Sequence, residues 1–249
     1  CVVGGRSATR SSRASPAQLM LAAACCLALA ATKLKLRRHR WWCGVTGLVA
    51  LSLGLPPIRS VLEQSLPGHM VGHVWMMFIV PMPIGWITSR TFRHHAPAWS
   101  AVVLLNGIMI ASHLPRVFDT VMNAGPAARE FESFTFFVVG VMFFDAVFRP
   151  STRLRWSAGG VILTMFVMLG LAMSMSLFTS APWYASIGSM PGMVMDGDFA
   201  SQQLAAAILW ICGDVWAVPV LVWLLRSRIA QEGSLLALLD RYSVPESRR

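Results

Sequence analysis

Residues 157–179, SAGGVILTMFVMLGLAMSMSLFT, form a stretch of 23 residues without a single charged side chain. An α-helix of about 20 residues is roughly 30 Å long, which matches the hydrocarbon core of a bilayer. Only a helix that satisfies all its own backbone hydrogen bonds is stable there. The stretch therefore predicts a membrane-spanning helix, and the same argument extends to the sequence on both sides of it.

Six other apolar stretches have the same character and are separated by short loops. We predict spans at 16–32, 41–55, 69–87, 97–114, 133–148, 157–179 and 201–225. The chain is 55% hydrophobic and only 13% charged, so it carries more apolar surface than a soluble domain of 249 residues could bury. We expect an all-α, polytopic membrane protein with a seven-transmembrane helix bundle.

The sequence divides into three regions. We predict a mobile N-terminal tail at 1–15, a transmembrane domain at 16–225 and a cytoplasmic tail at 226–249. The stretch 16–32 also has a length that suits a signal peptide, but a strongly basic segment, 33–40, follows it as a cytoplasmic anchor would.

The basic residues lie in loops and predict the orientation of the chain. Of the 21 Lys and Arg residues, 15 lie in alternate loops and the C-terminal tail, and six lie on the other side. Cytoplasmic loops are enriched in Lys and Arg, so this bias places the N-terminus outside and the C-terminus in the cytoplasm. The net charge of +10 is therefore explained by orientation in a lipid bilayer, which we expect to be a partner of the chain. We expect no nucleic-acid partner.

Three histidines lie at one predicted depth, near the outer face. His69 and His73 are four residues apart, so they share one face of a helix, and the next span ends at His113. Imidazole binds copper and zinc, so we predict a metal site at these three residues. The spacing resembles that of metalloproteases, but those need Glu directly after the first His, and Met70 stands there.

Methionine predicts which metal binds. The chain has 15 Met, and thioether sulfur selects Cu(I). We expect Met70 and the outward-loop residues Met190, Met193 and Met195 to be further ligands of Cu(I), although Met also fills apolar cores without any metal.

One acidic residue falls near the middle of a predicted span. An ionised Asp214 there would cost at least about 2.5 kcal/mol, so it should face the bundle interior, paired or protonated. Asn106 lies at a similar depth, and we predict an intramembrane polar site formed by Asp214 and Asn106.

Three segments, within roughly residues 60–225, resemble the CtaG-like cytochrome c oxidase assembly factors. GHMVGHVWMMFIVP at 68–81 is similar to the H-M-x-x-H…P helix of that family, HLPRVFD at 113–119 to H-x-P-x-x-[YF]-D, and SQQLAAAILW at 201–210 to D-Q-x-L-A-G-x-x-M-W. The chain departs from the pattern at Ser201, at Ala206 and within 132–135, where the usual His of the family is replaced by the sequence Glu132-Ser-Phe-Thr135.

The resemblance implies a protein of the bacterial cytoplasmic membrane that delivers or retains copper for a haem-copper oxidase. It implies oxidase subunits and a periplasmic copper donor as partners, a chaperone-like role without catalysis, and a metal role for His69, His73 and His113. Two other hypotheses remain open on the residues alone. His73 and His113 could be axial ligands of a b-type cytochrome, or Asp214 and Asn106 could mark the path of a transporter for copper or another solute.

Overall fold

The computed structural model describes residues 65–91, 97–184 and 199–234, together with Leu62 and Leu236, and within these ranges the chain is helical and has no strand. The helices are α1 (Leu66–Val74), α2 (Pro81–Thr91), α3 (Ala98–His113), α4 (Pro115–Asn123), α5 (Pro126–Phe148), α6 (Leu154–Ser176) and α7 (Phe199–Glu232), with a π-helical turn (Trp75–Ile79) between α1 and α2.

Four helical segments are long and apolar enough to cross a membrane. They are Leu66–Arg90, Pro126–Phe148, Leu154–Ser176 and Phe199–Glu232, and a fifth span is added if α3 and α4, which are bent by 76° relative to one another, are taken together. These five correspond to the five predicted spans from 69 to 225. The predicted spans at 16–32 and 41–55 lie outside the described residues, so the total of seven stays a prediction.

Proline explains why the first described span is built from two helices and a π-helical turn. Pro81 has no backbone N–H and cannot donate to the carbonyl four residues earlier, that of Met77. The preceding turn is widened, and the Val80 N–H bonds to the Trp75 carbonyl at 3.1 Å. A π-helical turn of this kind lets the helix continue past an interruption. The result is one span, Leu66–Arg90, of 25 residues.

Two glycines allow α5 to pack closely against this span. A Cβ atom at Gly140 on α5 would collide with the Met77 carbonyl oxygen and would lie 2.8 Å from Cγ of Pro81. A Cβ atom at Gly85 on α2 would collide with Cβ of Phe144. Small residues at such crossings let two backbones approach in a membrane, where no hydrophobic force drives helices together. The successive contacts also show that α5 runs parallel to the α1–α2 span.

Aromatic side chains fill the centre of the bundle. Phe78 stacks on Trp216 of α7 with ring centroids 4.4 Å apart, and Phe143 and Phe144 of α5 meet the same Trp216 edge to face. Because these rings come from three different spans, they fix the positions of α1–α2, α5 and α7 around one core.

The two ends of the bundle differ in chemistry. At one end, Arg90 lies over the ring of Trp86, Arg149 pairs with Asp145 at 2.7 Å, and Arg228 donates to the Thr152 carbonyl. The opposite end carries His69, His73 and His113 near the ends of their helices. Arginines and tryptophans at one end are typical of an interfacial anchor, so the bundle has a basic end and a histidine end.

The close approach at Gly140 can be tested by adding one methyl group. We expect Gly140→Ala to lower the free energy of unfolding by about 1–3 kcal/mol, because the new Cβ meets the backbone of the neighbouring span. The control is Gly107→Ala on α3, where a Cβ meets nothing within 4 Å. That change should be neutral or stabilising by up to about 1 kcal/mol, since Ala favours a helix more than Gly does. Thermal unfolding of both variants in detergent measures the difference, and equal melting temperatures would contradict the packing described.

Candidate metal centre

The start of α1 sets the orientation of the His69–His73 pair. Ser65 caps the helix by accepting a hydrogen bond from the Gly68 N–H at 3.2 Å, and Pro67 fits the first turn, where no N–H is needed. His69 and His73 then follow one turn apart on the buried face. Their Nε2 atoms are 2.6 Å apart. The shared face predicted from the spacing is confirmed, whereas the metal role stays a prediction.

This contact requires something positive between the two nitrogens. Two Nε2 lone pairs facing each other at that distance would repel, so one ring must donate a proton or both must bind a cation. Nδ1 of His73 is buried and has no hydrogen-bond partner. The pair is thus a concentrated set of nitrogen donors inside an apolar bundle.

A carboxylate completes the cluster. Oε2 of Glu132, on the second turn of α5, lies 3.8 Å from Nε2 of His73, and the donor atoms of His69, His73 and Glu132 all lie within 4.8 Å of one another. The Glu132 side chain is 9% exposed, and its Oε1 atom is buried without a hydrogen-bond partner. An ionised carboxylate buried here is costly unless it binds a cation, pairs with a protonated His73 or takes up a proton itself.

His113 approaches the cluster from the end of α3. Its ring centroid is 5.8 Å from that of His73, and its Nδ1 lies 2.7 Å from the Met109 carbonyl oxygen. A carbonyl can only accept, so Nδ1 carries the proton and Nε2 bears a lone pair in the neutral ring. This Nε2 is buried and has no hydrogen-bond partner. The predicted shared depth is confirmed, since the His113 ring lies beside His73. Its nitrogens are not part of the group of donors within 4.8 Å of one another, which consists of His69, His73 and Glu132, so a ligand role for His113 stays a prediction.

Aromatic rings enclose the donors. The ring of Phe118 on α4 meets the ring of His69 edge to face, with centroids 5.5 Å apart. The ring centroid of Phe136 on α5 lies 4.6 Å from that of His73. Tyr184 packs on Phe118 at 4.2 Å, and its hydroxyl donates to the His113 carbonyl at 3.1 Å. Burial raises the pKa of the Tyr184 phenol well above its usual range, so the hydroxyl stays protonated and remains a donor. Water is largely kept from the imidazoles by this shell.

One glutamine holds the segment that carries Tyr184. Gln202, near the start of α7, donates from Nε2 to the Met175 carbonyl at 2.6 Å and accepts from the Trp183 N–H at 2.6 Å. It thereby joins the end of α6, the segment after it and α7 with one buried amide. Gln202 belongs to the motif at 201–210, but its spacing alone did not predict this role.

Sequence reasoning also missed Glu132 as a donor. We placed it in a stretch where the sequence departs from a family pattern, and so gave it no role. The signal was its depth: it stands near the start of a span that begins at the same end as His69 and His73. An acidic residue inside the first turns of a buried helix is a candidate ligand whenever histidines lie at the same level.

The ligand role of the four methionines stays a prediction. Met70 is fully buried in an apolar cluster with Leu66, Phe118 and Tyr184 among others, which is the packing role that we weighed against a ligand role. Met190, Met193 and Met195 lie outside the described residues.

The predicted polar site of Asp214 and Asn106 needs correction. Asn106 is buried and donates from Nδ2 to the Thr164 hydroxyl at 3.0 Å and to the Val102 carbonyl. Asp214, in contrast, lies on the exposed face of α7. The reason is the rotation of α7 about its own axis. The buried face of the helix contains Gly213, Trp216 and Ala217, and Asp214 lies outside this face. The two residues therefore have separate surroundings.

Gln202 gives a test of how the aromatic shell is held. We expect Gln202→Ala to lower the free energy of unfolding by about 1–3 kcal/mol, because it leaves the Met175 carbonyl and the Trp183 N–H without their buried partner. Gln203→Ala, at an exposed position next to it, is the control and should unfold like the parent. Thermal unfolding in detergent is the measurement, and a Gln202→Ala variant as stable as the control would show that the amide does not hold this segment.

Comparison with known proteins adds an independent finding. The family model of the cytochrome c oxidase caa3 assembly factors (Caa3_CtaG) matches residues 83–231, which is 149 of the 249 residues. The matched part includes His113, Glu132 and Gln202 and begins after His69 and His73. No curated protein and no solved structure matches the chain.

Proposed function

The chain belongs to the family of cytochrome c oxidase caa3 assembly factors, and from that premise we propose that it binds copper at the His69–His73 pair and delivers or retains it for a haem-copper oxidase. The single observation that carries the proposal is the convergence of the two Nε2 atoms, 2.6 Å apart, in a buried cluster with Glu132. Imidazole nitrogens and a carboxylate oxygen that has no hydrogen-bond partner, gathered in a buried place, are the donors that a cation site needs.

The donor set fits copper chemically. Imidazole nitrogen is a strong ligand for copper, and the affinity of such sites for divalent first-row metals is highest for copper. The proton on Nδ1 of His113, held by the Met109 carbonyl, orients that ring and leaves Nε2 free to bind. His69, His73 and Glu132 would surround one ion, and the His113 ring would join them if it moved toward the ion.

The location of the cluster suits transfer to a partner. The distribution of Lys and Arg predicts that the histidine end of the bundle faces outward, where a periplasmic copper donor and the oxidase subunits would meet it. Met190, Met193 and Met195 would lie on the same side and would offer soft ligands to arriving copper. The ion would pass on by exchange of ligands, so the protein would act as a carrier within a bacterial cytoplasmic membrane and not as an enzyme.

The test is the metal content of the purified protein. We expect the protein, purified in detergent and loaded with copper, to retain a single copper ion per chain and to show no Soret band. The double variant His69→Ala/His73→Ala should bind copper more than about tenfold more weakly. Removing a residue that only hydrogen-bonds to a metal ligand already weakens metal binding about tenfold or more, and this variant removes two ligands. Mass spectrometry of the metal and the absorption spectrum measure both.

The matched control is the double variant His94→Ala/His95→Ala, which removes the same number of imidazoles from the predicted cytoplasmic loop. It should bind copper like the parent. Full copper content and full oxidase assembly in the His69→Ala/His73→Ala variant would refute the proposal. A Soret band in the parent that disappears when His73 or His113 is mutated would show that the protein is a b-type cytochrome instead.

A further inference from the structure

The histidine and carboxylate donors that lie within 4.8 Å of one another are nitrogen and oxygen atoms. His69 and His73 contribute imidazole, and Glu132 contributes a carboxylate. Carboxylate oxygen is a hard ligand that suits divalent ions, whereas Cu(I) is selected by thiolate and thioether sulfur. The neighbouring sulfur of Met70 packs in an apolar cluster. The chemistry of the cluster therefore differs from that expected for a methionine-rich Cu(I) site.

We infer that Glu132 makes this centre a site for a divalent cation, so that copper is held there as Cu(II) and Zn(II) is its direct competitor. The inference rests on the proposed function, since it names the state of the ion bound at the same residues. Cu(II) would thus be the bound ion at this centre, in contrast to the Cu(I) that the methionine content of the sequence favours.

The position of Glu132 supports a direct role in binding the ion. Its side chain is almost fully buried at the histidine end, with Oε2 3.8 Å from Nε2 of His73 and Oε1 without a hydrogen-bond partner. A carboxylate needs compensation when it is removed from water, and the imidazoles give none while they are neutral. A divalent ion bound to one or both oxygens supplies that compensation, whereas a soft monovalent ion binds oxygen weakly.

The distances between donors favour a compact coordination sphere. In a tetrahedral site with metal–nitrogen bonds of about 2.0–2.1 Å, neighbouring donors lie about 3.3 Å apart. The observed separations of 2.6 Å between the two Nε2 atoms and 3.8 Å between Nε2 of His73 and Oε2 of Glu132 lie on either side of that value. Linear two-coordinate Cu(I) would need its two nitrogens about 4 Å apart, twice the bond length. Small rotations of the side chains thus suffice for a divalent ion.

His113 provides a candidate fourth donor. Its Nε2 is buried, lacks a hydrogen-bond partner and bears the lone pair, because Nδ1 donates to the Met109 carbonyl. Its nitrogens lie outside the group of donors within 4.8 Å of one another, so the ring would have to move toward the ion to bind it. The set would then be three nitrogens and one oxygen, which is a donor combination found in sites for Cu(II) and Zn(II).

The decisive experiment compares oxidation states in the full-length protein purified in detergent. Binding of Cu(II) and Zn(II) is measured by competition with a chromogenic chelator, and binding of Cu(I) is measured anaerobically with a Cu(I)-specific chelator under excess ascorbate. We expect Glu132→Gln, which keeps the shape and removes the charge, to weaken Cu(II) and Zn(II) at least about tenfold while changing Cu(I) less than about threefold. The control is Glu130→Gln, which removes the same charge from the same helix and should change none of the three.

A spectroscopic readout separates a ligand from a merely nearby charge. The electron paramagnetic resonance spectrum of the Cu(II)-loaded parent should show coupling to imidazole nitrogens, and Glu132→Gln should shift the copper hyperfine splitting while Glu130→Gln leaves it unchanged. A parent that binds only Cu(I), or a Glu132→Gln variant with unaltered Cu(II) affinity and spectrum, would overturn the inference and leave the copper proposal standing. A parent that binds copper in neither state would refute both.

Discussion

The close approach of α5 to the α1–α2 span is the contact on which the rest of the centre depends. Gly140 and Gly85 bring the two backbones together, and the parallel course of the helices then carries Glu132 to the level of His73. A larger residue at either glycine would separate the spans and move the carboxylate away from the imidazoles. The chemistry at the histidine end is therefore set by packing several turns deeper in the bundle.

Aromatic rings enclose the donor atoms and keep water away from them. Phe118, Phe136 and Tyr184 surround the imidazoles, and Gln202 holds the segment bearing Tyr184 through two short hydrogen bonds. In such surroundings a polar atom without a partner is expensive. The unpartnered Oε1 of Glu132 thus adds to the argument from the converging Nε2 atoms of His69 and His73.

Much of this architecture could be predicted from the sequence, because bilayer thickness imposes a clear length on apolar stretches. The four candidate spans, and a fifth if α3 and α4 are counted together, correspond to predicted ones. The i, i+4 spacing of His69 and His73 correctly predicted a shared face. The predictions that were wrong or missing concern contacts between helices. Glu132 was overlooked and Asp214 was placed inside the bundle, since the rotation of each helix about its axis depends on tertiary packing that one sequence does not display. The helix α4 was likewise not predicted, because it is a short helix bent away from α3 at Pro115.

The central claim is that nitrogen and oxygen donors at the histidine end hold the ion. X-ray absorption at the copper edge of the metal-loaded protein tests it most directly, because it identifies the atoms bound to copper. The account predicts a first shell of nitrogen and oxygen with the outer-shell scattering of imidazole rings, lost together in a His69→Ala/His73→Ala variant. A first shell composed of sulfur alone would place the copper on the methionines or cysteines and would contradict the assignment of this centre.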